Sequence, residues 1–386
     1  VSAVFSVLTP TGRGAVAVVA VASSRATDAV AYYFRANNGR SLAEQRIAAI
    51  VYGRWNSDGE DLVVCRRTEE LVEIHCHGGS QSVVAIAADL TAQGCEQIPW
   101  QDWLARQDDD ALKVEAQIAL AQATSTRTAL ILLEQYRGAL RQELQAIYNL
   151  LLNSDATAEQ RLAVLLATAE LGMHLTRPWQ VVIAGRPNVG KSSLINALVG
   201  YRRAIVFDQP GTTRDVVTAA TVIEGWPVVL SDTAGMHEAS DQIETAGIEL
   251  AKQRLKNADL VVWVFDAAES QALSYQDLMM QEVNGLGLQL PGKQLLVLNK
   301  IDRVSDPNLS GELLATSATT GEGVDSLLIA IANSLVPEVP ASGSAVLFTE
   351  RQEQAMRAGL EFCRAGETAR GAEMLAKLLE SAPCGK

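Results

Sequence analysis

The segment Gly185-Arg186-Pro187-Asn188-Val189-Gly190-Lys191-Ser192 follows an apolar run, Gln180 to Ala184, and leads into Ser193 to Leu198, which has the character of a helix. Glycines in such a loop let backbone N–H groups wrap a polyphosphate. A lysine then places its charge between the outer phosphates, and a serine hydroxyl supplies a ligand to Mg²⁺. A strand before and a helix after are the context that this chemistry needs. The segment therefore predicts a phosphate-binding loop contacted through Asn188, Val189, Gly190, Lys191, Ser192 and Ser193.

Three further groups fall downstream at domain-scale spacing. Val228 to Ser231 reads as a strand delivering Asp232-Thr233-Ala234-Gly235, where Asp232 holds Mg²⁺ through its water shell and the Gly235 N–H meets a γ-phosphate. Asn299-Lys300-Ile301-Asp302 follows the run Gln294 to Leu298; a carboxylate at Asp302 accepts from guanine N1 and N2, which adenine does not offer as donors. Ser317-Ala318 supplies a backbone donor for guanine O6. Between the first two groups lies Gly211-Thr212-Thr213-Arg214-Asp215, where a threonine completes the Mg²⁺ shell while the triphosphate is intact and lets go after hydrolysis. Together these predict a GTP-hydrolysing switch of the Ras-like kind. Met236 follows Gly235, where Ras-like enzymes use a glutamine to orient water, so the water-positioning group must come from elsewhere.

The elements that must position these residues form a βα alternation bounded by Pro178 on one side and by Pro337 and Pro340 on the other. Residues 111–173 are rich in Ala, Leu, Gln and Glu with helical spacing, which predicts two or three long helices. Helical spacing returns in Glu350 to Cys363 and Glu367 to Leu379. Residues 1–100 alternate short apolar runs with Gly, Asn and Asp: Ala15 to Val21, Ala48 to Tyr52, Leu62 to Cys65 and Leu71 to His75, followed by a helix-like Ser80 to Leu90. The expected architecture is multidomain α/β. A Ras-like P-loop GTPase domain with a doubly wound, mostly parallel sheet (178–337) is inserted into a helical domain (105–177 and 338–386), after a small N-terminal α+β domain (1–104).

With 386 residues the chain exceeds what one core usually organises, which agrees with several domains. A net charge of -13 argues against holding RNA through the general surface, since that mode needs clustered Lys and Arg. Five scattered cysteines without a CxxC pair argue against a disulfide framework. No apolar run reaches the roughly 18 residues of a membrane span, and the opening residues lack the basic region of a leader, so the expected location is the cytoplasm. His75 and His77 share one face of an alternating strand while Cys76 points away, and with no second ligand pair a metal site there is not expected.

The sequence also resembles the bacterial tRNA-modifying GTPase family called MnmE or TrmE. The likeness runs through Gly185 to Ser193, Gly211 to Asp215, Asp232 to Gly235 and Asp241 to Glu249. Outside them, Thr9 to Ala15, Glu73 to Gly79 and the ending Cys384-Gly385-Lys386 resemble that family's opening, N-domain signature and terminus. The resemblance implies a homodimer joined through its N-domains, with K⁺-dependent hydrolysis triggered when two G domains meet. It further implies that Asn188 and Thr212 ligate K⁺ with the carbonyls of Phe207 and Gln209, that Ser192 and Thr213 hold Mg²⁺, and that Glu244 orients the attacking water. The implied partner is an FAD-binding protein of the MnmG or GidA type, which would carry most of the contact with tRNA.

The family's stretch before the Cys-His-Gly-Gly element is missing near Glu69 and Glu70, and its later N-domain block is replaced by Ile98 to Ala105. Those segments shape the family's folate pocket, so a tetrahydrofolate derivative is not expected to be required at full strength. Two rival readings share the motifs: a ribosome-assembly GTPase of the Der or Era type, and a shortened paralogue that keeps the GTP switch without one-carbon or tRNA chemistry.

Overall fold

The computed structural model describes residues 3–10, 14–57, 59–200, 205–206, 218–232, 253–269, 292–304 and 313–380. They fall into two compact units that divide after Ala111.

In the first unit seven strands form one sheet: β1 (Val4–Val7), β2 (Val16–Ala22), β3 (Phe34–Ala36), β4 (Ile50–Trp55), β5 (Asp61–Arg66), β6 (Leu71–His77) and β7 (Glu96–Gln97), ordered β3-β4-β5-β6-β2-β1-β7. Pairing is antiparallel except between β1 and β7. Alternation explains which face is buried. Val51 and Trp55 of β4 and Val72, Ile74 and Cys76 of β6 point to one side and share a core with Val30, Ile86 and Leu90 of the helices Ala26–Tyr33 and Ser80–Ala92. Helix Trp100–Gln107 runs across position 104, and its Trp103 is buried with Val4, Ala20 and Ile98.

Among the described residues of the second unit, seven strands form another sheet: β8 (Trp179–Ala184), β9 (Ile205–Val206), β10 (Thr218–Ile223), β11 (Trp226–Asp232), β12 (Leu260–Asp266), β13 (Gln294–Asn299) and β14 (Leu313–Ala315), ordered β14-β13-β12-β8-β11-β10-β9. Strands β14, β13, β12, β8 and β11 are parallel, and β10 and β9 extend the edge antiparallel. Every residue of β11 and β12 is buried, the pattern of parallel strands covered on both faces. The sheet is therefore mixed but mostly parallel, with helices packed on it.

Where the sequence predicts two or three long helices, the structure has five shorter ones: Ala111–Gln122, Thr126–Tyr136, Ala139–Leu152, Thr157–Leu166 and Ala169–Met173. The breaks have local causes. Ser125 caps a new start by accepting the Thr128 amide, Gly138 adopts φ 102°, and Ser154 adopts φ 50°. Helices Glu350–Arg364 and Thr368–Leu379 return to this bundle. Leu140, Leu144, Ile147 and Leu151 line one helix face and share a core with Leu162, Met356, Leu360, Leu375 and Leu378.

The chain re-enters the bundle beside the point where it left. Leu347 N donates to Thr168 Oγ1 (3.0 Å), Val346 N to Gln135 Oε1 (3.1 Å), and Gln135 Nε2 to the Ser344 carbonyl (3.0 Å). A Cβ on Gly172 would lie 1.5 Å from the Leu347 carbonyl oxygen. Since backbone must move to make room, Gly172→Ala is expected to destabilise the protein by about 3 kcal/mol. Gly200→Ala, where no atom of the described residues beyond its chain neighbours lies within 4 Å of the added carbon, serves as control. Urea unfolding of the two variants checks the difference.

Candidate nucleotide-binding site

The parallel strands deliver chemistry at one edge, because Ala184, Asp232, Asp266, Asn299 and Ala315 are the last residues of β8, β11, β12, β13 and β14. In such sheets the crevice beyond the carboxyl ends is where ligands bind. Gly185 turns the chain out of β8 at φ 139°, and a Cβ there would meet the Val264 carbonyl at 2.3 Å. Asn188 (φ 65°) and Gly190 (φ 99°) complete a loop that ends at the helix Lys191–Gly200. The first-turn amides of a helix have no intrahelical acceptor and carry the positive end of its dipole, which suits phosphate.

Lys191 is 4% exposed, and its ammonium donates to the carbonyls of Gly185 (2.9 Å) and Arg186 (2.8 Å). These contacts lay the side chain along the loop. The Ser192 hydroxyl donates to Asp232 Oδ2 at 2.6 Å, joining the ends of β11 and the phosphate loop. A hydroxyl and a carboxylate converging there form a hard-oxygen donor set that fits Mg²⁺. Val189 is buried, while Asn188, Ser192 and Ser193 are exposed.

A second loop system meets the first. Asn299 is 1% exposed, donates through Nδ2 to the Val189 carbonyl (2.9 Å), and accepts at Oδ1 from Ala318 N (3.2 Å) and Thr316 Oγ1 (3.3 Å). Lys300 stands at φ 65° and donates from Nζ to the Asn188 carbonyl (2.5 Å) and to Asp266 Oδ2 (2.8 Å). Ser317 Oγ donates to Asp302 Oδ1 (2.6 Å), so the carboxylate assigned to guanine is held by the loop after β14. Burial alone would raise the Asp266 carboxyl, but hydrogen bonds from Lys300 and the Ala268 amide, with the charges of Lys300 and Arg303, outweigh it and hold the group below the ordinary carboxylate range.

The structure thus brings together Asn188, Val189, Gly190, Lys191, Ser192, Ser193, Asp232, Asn299, Lys300, Asp302, Ser317 and Ala318 at one sheet edge. Glu244, Thr213, Gly235, Phe207, Gln209 and Thr212 lie outside the described residues, as does Met236. The sequence reading missed Asp266 and Thr316. A signal was there for Asp266: the apolar run Leu260 to Phe265 ends in a carboxylate, as β11 does at Asp232. Among the described residues, no group of three or more His, Cys, Asp or Glu could hold a metal ion, and no helix is long and apolar enough to cross a membrane.

Comparison with known proteins agrees with this geometry. A family model described as 50S ribosome-binding GTPase matches residues 180–300. Much longer matches come from proteins named tRNA modification GTPase MnmE. That of Geobacillus thermodenitrificans is 30% identical over 380 residues, covering 85% of this chain and 80% of that protein. That of Chloroflexus aurantiacus is 32% identical over 413 residues, covering 94% and 88%. The chain belongs to the MnmE family of tRNA modification GTPases. The P-loop domain is that of a GTP-hydrolysing enzyme, a fold that in general binds its nucleotide with Mg²⁺.

Proposed function

We propose that this chain is a K⁺-dependent GTPase, activated by dimerisation, that acts in the modification of wobble uridine 34 of tRNA. The observation that carries the proposal is likeness to MnmE proteins along most of the chain, 94% of it in one case, rather than along the G domain alone. On this reading the chain has an N-terminal α+β domain for dimerisation, a helical domain in two parts, and a G domain between them.

Asn188 supports the role of the ion. It sits exposed in the phosphate loop with its carbonyl engaged by Lys300, which leaves the side-chain amide to act at the phosphates. Asn188 and Thr212, with the carbonyls of Phe207 and Gln209, would hold K⁺, and Ser192 and Thr213 would hold Mg²⁺. The monovalent ion supplies positive charge between the β and γ phosphates, where other GTPases place an arginine. Lys191 and the Gly235 N–H bind the phosphates, Asp302 selects guanine, and Glu244 orients water where Met236 cannot. A net charge of -13 supports leaving the tRNA contact to an FAD-binding partner of the MnmG or GidA type, and the cytoplasm is the compartment in which these partners meet.

One observation favours a variant of this reading in which the GTP switch is kept but the one-carbon chemistry is reduced. The segment in place of the family's later N-domain block folds as Trp100–Gln107, and its Trp103 fills space against Val4, Ala20 and Ile98. We therefore expect no micromolar binding of 5-formyl-tetrahydrofolate in calorimetry; such binding would show that the pocket has been rebuilt from other residues.

Single-turnover hydrolysis is expected to be faster in K⁺ than in Na⁺ at equal ionic strength. Glu244→Ala should lower kcat by roughly 10² while GTP binding persists, the usual cost of removing a positioned catalytic group. Equal rates in the two salts would remove the ion from the mechanism, and a fully active Glu244→Ala would move the search to Arg214 and His237. Mass spectrometry of wobble nucleosides from a strain lacking this protein, and any redundant homologue, tests the substrate. Loss of carboxymethylaminomethyl-uridine is expected; an unchanged level would leave a GTPase of another pathway.

A further inference from the structure

We propose that Asp266 is a positioning residue for nucleotide binding, fixing Lys300 where it ties the guanine loop to the phosphate loop. This rests on reading Asn299 to Asp302 as the guanine loop. Asp266 ends β12 in register with Asn299 at the end of β13, so the carboxylate and the lysine stand on neighbouring strand ends. Its two oxygens are both engaged: Oδ1 accepts the Ala268 amide at 3.0 Å and Oδ2 accepts Lys300 Nζ at 2.8 Å. The turn after β12 thereby locks the carboxylate's direction, and the carboxylate locks the ammonium.

Lys300 needs such a lock. Its backbone is in the left-handed region, at φ 65°, where a residue with a β-carbon is held only by its surroundings. Its side chain is 20% exposed, against 10% for Asp266. With Asp266 in place, Nζ is shared between a full negative charge and the Asn188 carbonyl, 2.5 Å away. Asn188 is itself at φ 65°, so one ammonium braces two left-handed residues on different loops. Without the carboxylate, an under-paired ammonium gains more from water than from the loop and swings outward. Asn299 would still join the loops through Val189, so the loss falls on the fit around the base and not on the fold of the sheet.

A charge-assisted contact of this kind corresponds to about a tenfold change in affinity. In the full-length protein, Asp266→Asn is expected to release a fluorescent GDP analogue about tenfold faster and to raise KM for GTP by a similar factor. Its kcat should change less than twofold, since Asp266 acts through Lys300 on the guanine loop and not on the reacting atoms. Lys300→Met should also weaken GDP, and the double variant Asp266→Asn/Lys300→Met should be no weaker than Lys300→Met alone. If Lys300→Met binds GDP as the native protein does, the reading of the guanine loop fails and this proposal with it. If Lys300→Met weakens GDP but Asp266→Asn does not, only this proposal falls. It falls as well if the two single effects multiply in the double variant, because Asp266 would then act through the turn at Ala268. Thermal unfolding of each variant reports folding. Should Asp266→Asn not fold, Asp266→Glu takes its place in the cycle, with its displaced carboxylate expected to weaken GDP binding only when Lys300 is present.

Discussion

One buried side-chain amide holds the nucleotide site in register. Asn299 reaches from the end of β13 to the Val189 carbonyl with its NH₂ and takes Ala318 N and Thr316 Oγ1 on its oxygen, so three loops from three strands meet on a single group. Leaving such a group unpaired in the interior costs about 1–3 kcal/mol, so the three loops are placed together or not at all. The close approach also dictates Gly190, because a Cβ there would lie 2.4 Å from Asn299 Nδ2. The glycine that lets phosphate approach the backbone is thus the same one that lets asparagine brace it.

Register at the sheet edge depends in turn on β8, which is central and fixed on both sides. It pairs in parallel with β11 and β12, and the pairing puts Ile183 opposite Asp232 and Ala184 opposite Trp263. Both faces of these strands are covered, so a shift by one residue would exchange the side chains packed against the two helical layers, and the packing that makes the core also sets where Ser192 finds Asp232. The core that enforces this is continuous with the helical bundle: Trp179, Val181 and Ile183 share it with Leu175, Val346 and Leu347. Gly172 and Leu347 bring the departing and returning chain together, so the P-loop domain is attached at two adjacent points of one unit.

What could be read in the sequence follows from how local its cause is. The phosphate loop, Asp232 and Asn299 to Asp302 stand out because glycine, lysine and carboxylates interrupt apolar runs at spacings set by a few bonds. The number of helices between Ala111 and Met173 was not legible, because Ser125, Gly138 and Ser154 each separate two helices through a cap or a left-handed residue that barely disturbs the periodicity. Strand β12 is harder to read because Leu260 to Phe265 is uniformly apolar and, unlike the runs before Gly185 and Asn299, leads into no motif of glycine, lysine and carboxylate. With the strand went Asp266, whose partner Lys300 is 34 residues away and becomes a neighbour only through parallel pairing of β12 with β13.

The same distinction separates the two kinds of charge at the site. Lys191 and Lys300 are both lysines next to the phosphate loop, but they are anchored to different parts of the fold. Lys191 lies along the phosphate loop itself and donates to the carbonyls of Gly185 and Arg186, six and five residues before it. Lys300 is paired with Asp266. One lysine is thus held within the phosphate loop, and the other ties that loop to the end of β12. The first serves phosphate and the second serves geometry, a division that no motif of residue types displays and that only the placement of a carboxylate at the end of β12 creates.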